Sequence, residues 1–153
     1  PSNAYCPGQL LHRVIPKAIV CGLTKQKLPL QGGGKSEKSY IHAKDLAFAI
    51  ELVIKKGLDG KIYNAGSKNP TSIKKVVELC ASALEISFED LCEMAPERLG
   101  QDSCYWLDSS EIKKDTGWEP KISWEEGLQD MVNWGNKYLN QLVDWPKEYT
   151  FRG

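Results

Sequence analysis

The sequence of 153 residues is poor in the groups that most often announce a function. It has two histidines, His12 and His42, and five scattered cysteines (Cys6, Cys21, Cys80, Cys92, Cys104) with no C-x-x-C pair. No metal site is expected, because zinc needs about four clustered nitrogen or sulfur ligands. Reduced thiols in a cytoplasmic protein are the expectation instead. No run of five like charges occurs, and 20 basic residues balance 20 acidic ones. A nucleic-acid or acidic-membrane partner would leave a one-signed footprint, so neither is expected. No apolar stretch approaches the roughly 20 residues that cross a bilayer, and no leader peptide is expected. Repeats and low-complexity segments are lacking. G-x-G-x-x-G at a strand-to-helix turn is lacking too, so no dinucleotide site is expected within these residues.

What is there reads as α/β. Val14, Ile15, Ala18, Ile19 and Leu23 have helical spacing within a helix expected over 12–23, with Pro16 tolerable in a first turn. Leu28 to Leu30 reads as an edge strand, 31–36 as a glycine-rich loop and 38–42 as a strand. A helix over 43–56 has Asp45 in its first turn, an inward face of Leu46, Ala49, Ile50 and Val53, and Gly57 at its end. A strand is expected over 61–64, then a helix capped by Ser72 running to Leu84. Asp108 with Glu111 and Ser123 with Glu126 have capping-box spacing, opening a short helix that ends at Gly117 and a long one to about Asn140. Trp118 and Trp134 read as core anchors. Residues 1–142 form the main body and 143–153 a tail. Strands near Asn3 and over 61–64 look like members of a parallel sheet that these residues alone do not complete.

Two motifs mislead. Tyr40-Ile41-His42-Ala43-Lys44 spells Y-x-x-x-K, but a lysine lowers a tyrosine pKa from the next turn of one helix. Here Tyr40 lies in a strand and Lys44 opens the following helix. Gly32-Gly33-Gly34-Lys35-Ser36 looks like the end of a P-loop, yet its first glycine would fall on Pro29 and no hydrophobic helix follows.

Four short signatures stand in a fixed order. They are Ser2-Asn3-Ala4-Tyr5-Cys6-Pro7-Gly8-Gln9, Tyr63-Asn64-Ala65-Gly66, Arg98-Leu99-Gly100-Gln101-Asp102 and Gly117-Trp118-Glu119-Pro120. Together they resemble the C-terminal half of the NAD-dependent nucleotide-sugar epimerases and dehydratases, which are extended short-chain dehydrogenase/reductases. The nearest likeness is to the dTDP-glucose 4,6-dehydratase branch, and it covers the chain to about Asn140. The resemblance implies the C-terminal part of a Rossmann-type fold, mostly a small helical substrate-binding domain with short strands.

It also implies a pocket for the diphosphate of a nucleotide-diphosphate sugar, which needs fixed cations and amide donors. Asn3 matches an asparagine that donates to the phosphates; a turn-capping asparagine is the plainer alternative. Val14 in Val14-Ile15-Pro16 matches a residue that offers its backbone N–H, sound physics for a helix N-terminus, though it also reads as core. Pro29 and Gln31 match the stretch beside the base, where the dehydratases often carry an aromatic residue at the position of Gln31. Lys38 replaces an arginine on the diphosphate, which loses the bidentate fork. Asn64 matches a nucleotide contact, Arg98 a phosphate-binding arginine, and Gln101 stands near the ribose where the dehydratases have histidine. Asp102 is expected to hold the loop. Cys6 replaces the usual glycine of its turn.

In that family NAD and the catalytic Tyr-Lys pair belong to the N-terminal half, and dimers form through helices of that half. These residues are therefore expected to supply nucleotide-sugar recognition and, alone, neither to bind NAD nor to turn over. The alternative is a non-catalytic nucleotide-sugar-binding module.

Overall fold

The computed structural model describes residues 1–97, 100 and 102–148. In chain order its elements are β1 (Asn3–Tyr5), α1 (Val14–Leu23), β2 (Leu28–Gln31), a 3-10 turn (Gly32–Gly34), β3 (Glu37–Lys38), β4 (Tyr40–His42), α2 (Ala43–Lys56), β5 (Thr71–Ser72), α3 (Ile73–Ala83), α4 (Phe88–Leu91), β6 (Cys92–Ala95), β7 (Cys104–Tyr105), α5 (Ser110–Thr116) and α6 (Trp124–Leu142). None of these helices is long and apolar enough to cross a membrane.

Three small sheets result. β1 pairs parallel with β4, Asn3 opposite Tyr40, and β2 pairs parallel with β6, Leu28 opposite Cys92. The third has the order β5-β3-β7, antiparallel on one side of β3 and parallel on the other. Helices α1, α3 and α6 close the main core around Ile15, Ile19, Val76, Val77, Cys80, Leu128 and Met131. A second core on the other side of β4 joins Ile41, Ala49, Ala65, Ile112 and Trp118. Trp118 is 1% exposed and its indole N–H donates to the Asp45 carbonyl at 3.0 Å. The Asp45 carboxylate in turn accepts the backbone N–H groups of Lys121 and Ile122, each at 3.0 Å. That pins the α5–α6 turn to the first turn of α2. Trp134 is half-buried between the main core and a small cluster of Leu11, Val20 and Leu142.

Helix ends follow local chemistry. Ser72 and Ser123 cap α3 and α6, accepting from the N–H of Lys75 and Glu126 at 3.1 Å. α5 ends on Gly117 at φ +77°, a conformation that glycine adopts without steric cost.

Several expectations need correction. α1 begins at Val14, not residue 12, because Arg13 is still extended. The strand expected over 38–42 is two strands in different sheets, broken at Ser39. Residues 61–64 form no strand. They are fastened by side chains instead: Lys61 Nζ to Asp115 at 2.5 Å and Tyr63 Oη to Asp115 at 2.8 Å. Ile50 is not inward but 55% exposed, since the β4 contact uses the side of α2 that carries Ala49. Asp108 does not form a capping box; it accepts from Ser110 N–H at 2.9 Å while Ser109 takes the cap position. β5, β6, β7 and α4 were not foreseen. Beyond Leu142 the described part of the tail is tethered by Lys17 to Glu148 and Lys147 to Gln26, both at 2.6 Å.

Candidate functional site

A cavity of about 470 Å³ opens where β1, β4 and the N-terminal ends of α1 and α3 meet. β1 contributes Asn3, Ala4 and Tyr5, the following loop Gln9, His12 and Arg13, α1 Val14 and Ile15, β4 Tyr40 and α3 Ile73. Alternate residues of β1 face opposite sides: Ala4 packs against the second core and Tyr5 enters the main one, and all three β1 residues border the cavity.

Electrostatically the α1 end of this cavity suits an anion. The first intrahelical bond runs from Lys17 N–H to the Arg13 carbonyl, so the N–H groups of Val14 and Ile15 have no helical acceptor. Pro16 has no N–H, and no acidic residue occupies the first turn. Arg13, the residue before the helix, lines the same cavity and adds a full positive charge to the helix dipole. Asn3 Nδ2 donates to the Ser39 carbonyl at 3.2 Å, which fixes the amide at the cavity wall. Gln9 is tied back by its amide to the Ala4 carbonyl at 2.7 Å.

Two phenols complete the wall. Burial pushes the Tyr40 pKa up to about 12, and burial with nearby Asp45 raises that of Tyr5 as well. Both remain protonated at neutral pH and are not poised as bases. Lys44 does not activate Tyr40: its ammonium is on Asp130 at 2.6 Å. The Y-x-x-x-K spelling therefore carries no catalytic pair here.

Of the residues singled out in the sequence, the structure brings Asn3 and Val14 together at this cavity. Lys38 is one residue from the Asn3 partner Ser39, but its ammonium bonds the Asp102 carbonyl at 3.1 Å, with the carboxylate at 3.8 Å. Asp102 thereby ties its loop to β3. Asn64 is exposed and adjoins Ala65, whose carbonyl accepts the Ser2 N–H at 2.8 Å. Pro29 and Gln31 share the solvent face of β2, away from the cavity lining. Arg98 and Gln101 lie outside the described residues. Sequence reasoning missed Arg13. The signal was its place immediately before Val14-Ile15-Pro16.

Among the described residues no group of three His, Cys, Asp or Glu side chains is placed to hold a metal.

Comparison with solved structures places the fold. The dTDP-glucose 4,6-dehydratase of Bacillus anthracis, solved in complex with NAD, superposes with a TM-score of 0.83 at 34% identity. That match covers 91% of this chain and 44% of the other. The UDP-glucose 4-epimerase of Thermotoga maritima, solved with UDP-glucose, gives 0.83 at 27% identity, covering 90% and 45%. The architecture is thus that of the Rossmann-type dehydratases and epimerases. Residues 1–131 match the family described as GDP-mannose 4,6 dehydratase, and the chain belongs to that family. It is also 31% identical over 156 aligned residues to the dTDP-glucose 4,6-dehydratase of Escherichia coli, covering 95% of this chain and 42% of that protein. The chain spans less than half the length of these relatives.

Proposed function

We propose that this chain is the nucleotide-sugar recognition part of an NAD-dependent sugar-nucleotide 4,6-dehydratase or epimerase of the cytoplasm. The observation that carries this reading is the convergence of Asn3, Arg13 and the amino end of α1 on one cavity. A diphosphate seated there would take N–H groups from Val14 and Ile15, a charge-assisted contact from Arg13 and an amide contact from Asn3. Lys38 on the diphosphate and Asn64 on the nucleotide are carried over from the resemblance, as are Pro29, Gln31, Arg98 and Gln101. The phenol of Tyr40 adds a neutral donor that suits a sugar hydroxyl, while the Tyr5 hydroxyl is packed against Gly127 in the core.

NAD would supply hydride transfer at the sugar. The residues present do not include the glycine turn that holds its pyrophosphate, so we assign it to polypeptide beyond these 153 residues. What this chain does is bind and orient: it fixes the diphosphate so that the sugar is presented to the redox centre. Effective orientation of that kind accounts for a large share of rate enhancement.

Titration calorimetry of the chain with UDP and dTDP tests the reading. Binding of at least one, weakened about tenfold by Arg13→Ala, is expected. NAD should give no heat. Failure of both nucleotides to bind, or an Arg13→Ala variant that binds as tightly, overturns it.

A further inference from the structure

Ser39 stands where the chain leaves one sheet and enters another, between β3 and β4. It is wholly buried, at 0% exposure, and every polar atom it owns is used. Its N–H donates to the Tyr105 carbonyl at 2.9 Å, continuing the β3–β7 ladder. Its carbonyl accepts both the backbone N–H of Asn3 at 3.1 Å and the Asn3 side-chain amide at 3.2 Å. Those bonds are made by backbone, and any residue could make them. The hydroxyl is what serine adds. It donates to the Ser67 carbonyl at 3.0 Å and lies 3.1 Å from the Ser67 hydroxyl.

Ser67 closes the segment Asn64-Ala65-Gly66-Ser67, and that segment is pressed onto Ser39. A Cβ at Gly66 would sit 3.2 Å from the Ser39 hydroxyl and 2.9 Å from that of Ser2, so only glycine lets the loop approach this closely. On its other side the Gly66 N–H donates to Ser109 Oγ at 3.0 Å. Alongside the Ser2–Ala65 backbone bond, this hydroxyl ties the far end of the Asn64 loop to the strand junction that also holds Asn3.

We propose that the Ser39 hydroxyl is a positioning residue: it sets the distance between Asn3 and the Asn64 loop, so that a nucleoside diphosphate is gripped from both. This rests on the function proposed above. Without the hydroxyl, the Asn3 amide keeps its backbone partner, while the Asn64 loop keeps its bonds to Ser2 and Ser109 but loses its tie to the junction through Ser67. The part of the site that meets phosphate is then retained and the part that meets nucleoside is loosened.

The test compares UDP with inorganic pyrophosphate on the chain and its Ser39→Ala variant by calorimetry. One lost hydrogen bond predicts roughly a three- to tenfold loss of UDP affinity. Pyrophosphate affinity should be unchanged, which a general loss of structure would not allow. Ser39→Cys fills the site with a slightly larger, weakly donating thiol in place of a void, and should show the same selective loss if the alanine variant folds poorly. Equal UDP binding by variant and parent, or parallel loss of UDP and pyrophosphate, overturns the proposal. If the parent chain binds neither UDP nor dTDP, the functional reading itself is what fails.

Discussion

Replacing Gly127 of α6 by alanine tests how tightly β1 is clamped at the cavity wall. A Cβ at that position would lie 2.3 Å from Tyr5 Oη and 3.0 Å from its Cζ. The Tyr5 ring has little room to yield. It stacks on Trp124 with centroids 5.3 Å apart and meets His42 edge-on at 5.2 Å, leaving the residue 4% exposed. To restore ordinary contact the phenol must retreat by about 1 Å against those rings. Overpacking of this kind costs about 2–3 kcal/mol, and alanine returns about 1 kcal/mol in helix propensity. The net expectation is a loss of about 1–2 kcal/mol, or roughly 2–8 °C in Tm for a chain of this length. Urea unfolding followed by tryptophan fluorescence measures it. Tyr5→Phe removes the shortest contact, so the double variant should regain most of the loss relative to Tyr5→Phe alone. If Gly127→Ala raises the Tm, or Tyr5→Phe gives no relief, the reasoning about this contact is wrong.

Other perturbations follow from the same structure. Trp118→Phe should lose about 2–3 kcal/mol by denaturant titration, since it removes both buried volume and the hydrogen bond to Asp45. Asp45→Ala leaves the N–H groups of Lys121 and Ile122 without their carboxylate, and a loss of about 2–4 kcal/mol is expected in the same assay. His42 is buried, and its Nδ1 accepts the Lys44 N–H at 3.2 Å. Burial and the Lys44 charge lower its pKa, opposed by Asp130, Asp45 and Glu126. A folded-state pKa below the unfolded value of about 6.5 gives stability that is whole above that pH and lost as pH falls through the folded value. The Tm should therefore drop between pH 7.5 and pH 5.5, and His42→Gln should flatten that drop.

Local chemistry was legible in the sequence where it acts over one or two turns. Ser72, Ser123 and Gly117 marked helix ends correctly, and the apolar spacing of Val76, Val77 and Cys80 found the face of α3 that enters the core. The same signals failed where a distant partner decides. Ile50 fits the apolar period of α2, but which side of that helix is covered depends on where β4 and α5 lie. Lys61 to Asn64 has strand-like composition, yet among the described residues no strand pairs with it, and Asp115 captures two of its side chains. Strand propensity reports fit to a neighbouring surface, so it cannot assign a strand whose neighbour is unknown.

The site illustrates the same limit more sharply. Asn3 was recognisable through its motif, but its amide is oriented by the carbonyl of a serine 36 residues away. That carbonyl is presented correctly only because the chain changes sheets at Ser39, with β7 holding one side and β1 the other. A run such as Lys38 to His42 gives no hint of the break, since strand composition is continuous across it. Arg13 was missed for a different reason: Val14 was matched to a helix N-terminus, but the residue before it was not read as part of the site. Charge at a helix terminus matters only close to its first turn, so the flanking residue is where a cation for the proposed anion site has to be sought.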